Sequence, residues 1–109
     1  MIYPSIAQFT EYSGENISNK LKGDKKNPVE LWETLCKRCE RVIRNKLPGI
    51  KTADLTDEQV VQWQELIMEQ AEYFFSVGDK SLMDDKQTSN LSDEVVEMAK
   101  QAELWSPWL

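Results

Sequence analysis

The stretch that decides the fold is residues 56–78, TDEQVVQWQELIMEQAEYFFSVG. Its apolar side chains recur at steps of three and four residues, which is the spacing of one face of an α-helix. The set is Val60, Trp63, Ile67, Ala71, Phe74 and Phe75, widened by Leu66, Tyr73 and Val77 on one flank and by Val61 and Met68 on the other. A helix that is apolar over more than half of its circumference is buried on several sides. We therefore predict a long, buried central helix over residues 57–77.

Polar residues frame this helix and leave one narrow hydrophilic strip along it. Thr56 and Gln59 have the spacing of a capping box, and Gly78 suits a helix end. The strip consists of Gln62, Glu65, Glu69 and Glu72. We expect it to face solvent.

The preceding segment has equally clear helix signals. Asn27 suits an N-cap, Pro28 suits the first helical position, and Pro48-Gly49 ends the segment. One face is apolar between these signals, and it consists of Leu31, Leu35, Cys39, Val42 and Ile43. A helix is predicted over residues 28–47.

Shorter helices are predicted at both ends of the chain, over residues 5–13 and 93–103, followed by an apolar tail over residues 104–109. Strand-like alternation is missing from all of these segments. The expected fold is all-α: one domain over residues 1–109, a small bundle of about four helices with a long buried central helix and an apolar C-terminal tail.

Composition excludes several classes of function. The chain has 109 residues, no histidine, and 13 Lys+Arg against 19 Asp+Glu, for a net charge of −6. Histidine-based triads and zinc sites are excluded, and a dedicated nucleic-acid binder would need a basic surplus. We expect no enzyme activity, no catalytic residue, no metal and no cofactor.

The sequence also limits where in the cell the protein is expected. No apolar run approaches the roughly 20 residues that cross a bilayer, and the first residues, MIYPS, do not resemble a signal peptide. The two cysteines lie too close together in sequence for a disulfide framework. We expect synthesis in a reducing cytoplasm and no membrane partner.

Cys36-Lys37-Arg38-Cys39 is the one motif that looks like a site. Redox pairs normally place the first cysteine at a helix N-terminus, whereas these two fall in the third turn of the predicted helix. We favour a structural interpretation, in which Cys39 is a small core residue and Cys36 lies at the margin of the packed face.

Lys37, Arg41 and Arg44 form a basic stripe, spaced i, i+4 and i+7 along the same helix. One interpretation is a solvated face supported by the pairs Glu33–Lys37 and Glu40–Arg44. The other is a contact surface for an acidic neighbour, such as another copy of this acidic chain or a phosphate backbone.

The tail, Leu104-Trp105-Ser106-Pro107-Trp108-Leu109, would be costly to leave in water, because burying one such aromatic side chain is worth roughly 2–3 kcal/mol. The tail either folds back onto its own domain or binds a partner. With four tryptophans, the domain is expected to carry more apolar surface than a four-helix monomer can hide.

Four segments resemble the small head–tail connector (adaptor, or head-completion) proteins of tailed bacteriophages. They are YPSIAQFTEYSG (3–14), LWETLCKRCERVIRNKL (31–47), MEQAEYFFSVGD (68–79) and LSDEVVEMAKQAELW (91–105). The third resembles the end of the family's central helix most closely, with a glutamine, an acidic-aromatic pair and a glycine.

This resemblance implies a non-enzymatic virion component, made in the bacterial host cytoplasm and located at the capsid–tail junction. Many copies would form a ring under the portal, contact the portal or neighbouring connector and tail proteins, and meet DNA only as transient cargo of the channel. On this basis we expect Trp105, Trp108 and Leu109 to be partner anchors, and Lys37, Arg41 and Arg44 to be subunit contacts.

The main alternative is a small acidic regulatory or inhibitory protein that binds one host protein through its aromatic surface. A helix-turn-helix DNA reader is disfavoured, because the segment from Pro48 to Thr56 is long for that turn and the next helix begins with acidic residues.

Overall fold

The computed structural model describes residues 3–14, 28–76 and 91–106. These residues form four helices, α1 (Ile6–Ser13), α2 (Pro28–Lys46), α3 (Asp57–Ser76) and α4 (Asp93–Gln101), and no strand occurs among them. The predicted all-α fold is confirmed. No helix within these ranges is both long enough and apolar enough to span a membrane.

Local hydrogen bonds set the helix ends that the structure describes. At α1, the Ser5 hydroxyl accepts from the backbone N–H of Gln8, and the Gln8 side chain accepts from the N–H of Ser5. Gly14 ends this helix in the left-handed conformation, at φ 78°. At α3, the predicted capping box between Thr56 and Gln59 is present, with both hydrogen bonds 3.1 Å long. The predicted cap at Asn27 and the predicted helix end at Gly78 lie outside the described residues.

The core is built around α3, which packs against α1, α2 and α4. Its fully buried side chains include Trp63, Leu66, Ile67, Ala71 and Phe74, which meet Phe9 of α1, Leu35 and Ile43 of α2, and Val95 and Ala99 of α4. The expected surplus of exposed apolar surface is wrong for the described residues. Only three large hydrophobic side chains are exposed there, namely Tyr12, Val29 and Val61.

Each tryptophan in the described part of the chain donates its indole N–H to a backbone carbonyl outside the helices. Trp32 donates to Pro4 over 2.7 Å, Trp63 to Lys51 over 2.7 Å, and Trp105 to Pro48 over 3.0 Å. A buried indole needs such an acceptor, because an unpaired N–H in the interior is costly. These bonds attach the N-terminal segment and the α2–α3 connection to the bundle.

Gln70 connects α3 to the start of α4. It is fully buried, and its side-chain oxygen accepts a hydrogen bond of 2.9 Å from the backbone N–H of Ser92, the N-cap residue of α4. The Ser92 hydroxyl makes no capping hydrogen bond of its own. The backbone N–H at the start of α4 therefore donates its hydrogen bond to a side chain of α3.

We predict that Gln70→Met destabilises the fold by about 1–3 kcal/mol, because the buried Ser92 N–H loses its acceptor. The matched control is Gln62→Met, on the half-exposed side of the same helix, which should change stability by less than about 0.5 kcal/mol. Urea unfolding followed by helical circular dichroism measures both. Equal effects of the two substitutions would contradict the role of Gln70.

The end of α4 differs from the prediction, since the helix stops at Gln101 rather than at residue 103. The cause is Glu103, which adopts the left-handed conformation at φ 59° and turns the chain. Leu104 then donates its N–H to the carbonyl of Ala99. Glycine adopts this conformation without the clash that a side chain causes.

We expect Glu103→Gly to stabilise the protein by about 0.5–1 kcal/mol, because relief of the left-handed strain exceeds the added entropy of the unfolded chain. Glu97→Gly, at an exposed position inside α4, should have the opposite sign and cost about 1 kcal/mol. Thermal unfolding of the two variants checks the pair. A lower midpoint for Glu103→Gly would show that no strain is stored there.

Candidate partner-binding surface

The basic stripe lies on the outward face of α2. Lys37, Arg41 and Arg44 are all exposed, on the side of the helix opposite its buried residues. The structure therefore brings the three predicted basic contacts together on one accessible surface.

The salt bridges expected to support this stripe are not formed. In residues 3–14, 28–76 and 91–106, no ion pair joins Lys37 to Glu33 or Arg44 to Glu40. Glu40 instead accepts a hydrogen bond of 2.5 Å from the Tyr3 hydroxyl. Burial, followed by this bond to Glu40, raises the pKa of Tyr3. Glu40 therefore serves to hold the N-terminal segment on α2.

Arg38 does not belong to the exposed basic surface, although it is close to the stripe in sequence. Only 5% of Arg38 is exposed, and its guanidinium carbon lies 5.2 Å from the centre of the Phe74 ring. This is a cation–π contact across the α2–α3 interface. The signal for it was available, since Arg38 follows Leu35 by three residues and precedes Val42 by four.

The acidic strip lies on the outside of α3. Glu72 is exposed, and Glu65 and Glu69 are partly exposed. The hydroxyl of Tyr12 reaches across from α1 and donates to Glu69 over 2.8 Å. Burial, then the bond to Glu69, raises the pKa of Tyr12. The strip thus has a tyrosine at its edge, which the helix pattern of α3 alone could not reveal.

Trp105 packs on its own domain rather than projecting from it. Its ring is partly buried against the core, its indole N–H donates to Pro48, and the Lys100 ammonium lies 6.0 Å from its ring centre. Leu104 is buried as well, and its carbonyl accepts from the N–H of Lys51. Of the two interpretations of the tail, the structure thus assigns residues 104–105 to the bundle.

A cleft of about 530 Å³ lies beside Trp105, between the ends of α2 and α3 and the start of α4. Its apolar lining comes from Leu47, Tyr73, Leu91 and Val96, and Lys46 and Asp93 add charge. Trp108 and Leu109 lie outside the described residues. Their role as partner anchors stays a prediction, as does that of Trp105, whose ring forms part of this cleft.

The cysteine pair is a core feature. Cys36 and Cys39 are free thiols, both fully buried, so the expected position of Cys36 at the margin of the packed face is wrong. The N-terminal segment covers this flank of α2 through the bond between Tyr3 and Glu40. Burial raises the pKa of Cys36 to about 12, with Glu33 adding to the shift, and burial raises the pKa of Cys39 well above its usual value.

Within the described residues, no group of three or more Asp, Glu or Cys side chains is arranged to hold a metal ion. Comparison of the chain with protein-family models, with curated proteins and with solved structures gave no match. The function of the protein is therefore inferred from its own surfaces and from the resemblance of its four segments to the connector proteins.

The thiols give a pH prediction. The pKa of the Cys36 thiol is about 9 in the unfolded chain, and burial raises it to about 12 in the folded one. The folded state therefore holds more protons between these values, and stability should fall as pH rises above about 9. Cys36→Ala/Cys39→Ala should flatten this decline, measured as urea midpoints from pH 7 to 11. An equally steep decline in that variant would assign the effect to other groups.

Proposed function

We propose that the protein is a structural connector of a tailed bacteriophage, located at the capsid–tail junction of the virion. Many copies assemble as a ring under the portal and link the DNA-filled head to the tail. The resemblance of four segments, spread along most of the chain, supports this assignment. The small all-α bundle fits it.

The observation that carries the proposal is the exposed basic stripe on an acidic chain. The bundle closes its apolar core within one copy, so its contacts with other proteins use the exterior. There, Lys37, Arg41 and Arg44 present positive charge on a chain whose net charge is −6. Such a surface favours acidic protein neighbours, and other copies of this chain are acidic.

The same net charge is suited to the wall of a DNA channel. An acidic wall repels the phosphate backbone, so DNA slides past it rather than binding. DNA is then a transient cargo of the assembly.

Contacts to the portal, or to the next connector or tail protein, are assigned to the C-terminal end of the chain. Trp105 is fixed on the bundle beside an apolar cleft, so the residues that follow start from a defined place on the surface. In this proposal Trp108 and Leu109 supply the apolar anchors, since tryptophan is enriched at the centre of binding interfaces.

We expect removal of residues 107–109 to leave a folded bundle that no longer joins heads to tails. This deletion tests the proposed anchors more specifically than removal of the whole tail would, because Trp105 also stabilises its own domain. In a phage that carries the deletion, electron microscopy should show filled heads and separate tails, with a loss of plaque titre of at least a hundredfold. Circular dichroism of the purified chain checks folding.

Trp108→Ser/Leu109→Ser is the matched variant of unchanged length and should have the same phenotype. Normal titres from both variants would contradict the tail assignment. The inhibitor alternative would be favoured if the purified chain does not bind the portal and instead binds one host protein at a small fixed stoichiometry.

A further inference from the structure

The outward faces of α2 and α3 carry opposite charges at identical spacing. On α2 the basic residues are Lys37, Arg41 and Arg44, and on α3 the acidic residues are Glu65, Glu69 and Glu72. Both sets follow steps of four and then three residues. With a rise of about 1.5 Å per residue, each set spans about 10 Å along its helix. Two such helix surfaces can therefore meet with all three charges in register.

Within one copy these surfaces face away from the α2–α3 contact. Each lies opposite the buried side of its own helix, and those buried sides form the core. The basic stripe and the acidic strip are thus on different outer sides of the bundle. Surfaces placed in this way join copies head to tail, which closes into a ring when the rotation between copies allows it.

Apolar exposure is concentrated beside the acidic strip. The structure exposes three large hydrophobic side chains in its described part, and two of them border this strip. Val61, 52% exposed, precedes Glu65 by one helical turn, and Tyr12 donates its hydroxyl to Glu69. Exposed ion pairs alone are worth only about 0.2–1 kcal/mol each. Val61 and Tyr12 add the apolar contact that a stable interface needs.

We propose that the basic stripe of one copy binds the acidic strip of the next copy, so that the acidic strip is the second half of the subunit interface. This inference rests on the proposed ring assembly and names the partner surface in it. A second copy fits better than DNA, because the chain supplies both charges at matched spacing whereas its net charge of −6 repels phosphate. The contact sets the register and is sensitive to salt.

Charge reversal on the full-length chain tests the pairing. One variant carries Lys37→Glu, Arg41→Glu and Arg44→Glu, a second carries Glu65→Lys, Glu69→Lys and Glu72→Lys, and a third carries all six changes. In analytical ultracentrifugation at about 0.1 M salt, we expect wild-type chain to form oligomers and each half-reversed variant to sediment as a monomer. An equimolar mixture of the two half-reversed variants, and the six-fold variant alone, should regain the oligomers.

One control separates the pairing from general effects of charge. Lys46→Glu/Lys51→Glu/Lys100→Glu reverses three exposed charges outside the stripe and should assemble as wild type does. Circular dichroism confirms that each variant is folded. Salt at about 1 M, where the Debye length falls to about 3 Å, should disperse the wild-type oligomers.

Wild-type chain that stays monomeric at about 1 mM would overturn the inference, as would half-reversed variants that assemble normally or a mixture that stays dissociated. Binding to the portal separates this outcome from the proposed function. If the half-reversed variants still form a full ring on the portal, the connector function stands and the pairing is wrong. If the mixture reassembles but no form binds the portal, the pairing stands and the connector function is wrong.

Discussion

The structure depends on how its tryptophans satisfy their indole N–H groups. A four-helix bundle of this size gains much of its stability by burying a few large aromatic side chains, but each indole also needs an acceptor. Helix carbonyls are already used by the helix ladder, so the acceptors come from the connecting segments, at Pro4, Pro48 and Lys51. Burial of the core therefore also fixes the path of the chain between the helices.

Local signals made much of the fold predictable. The capping box of Thr56 and Gln59 involves residues three positions apart, and the central helix follows from the spacing of its apolar residues. The partners of Gln70 and of the indoles were not predictable in this way. Ser92 lies 22 positions beyond Gln70, and Pro48 lies 57 positions before Trp105. No periodicity within one helix encodes such a pairing.

One error and one omission have a common cause. The sequence pattern placed Cys36 at the margin of the packed face and gave no buried role to Arg38, because it treated α2 as a helix buried on one side. The N-terminal segment covers one flank of α2, and Phe74 of α3 lies against the other. Covering both flanks widens the buried face. The exposed stripe of Lys37, Arg41 and Arg44 was predictable because these residues lie opposite the apolar face of their own helix, which the spacing alone shows.

The way in which Trp105 packs on the bundle affects how the protein resists mechanical force. Two hydrogen bonds tie the end of the described chain to the α2–α3 connection, one from the N–H of Lys51 to Leu104 and one from the Trp105 indole to Pro48. A pulling force applied beyond Ser106 is resisted first by these bonds and by the packed indole. The force therefore acts on the connection between α2 and α3, the two longest helices. It does not unwind α4 from its C-terminal end. Leu104 and Trp105 thus anchor the start of the tail firmly to the bundle.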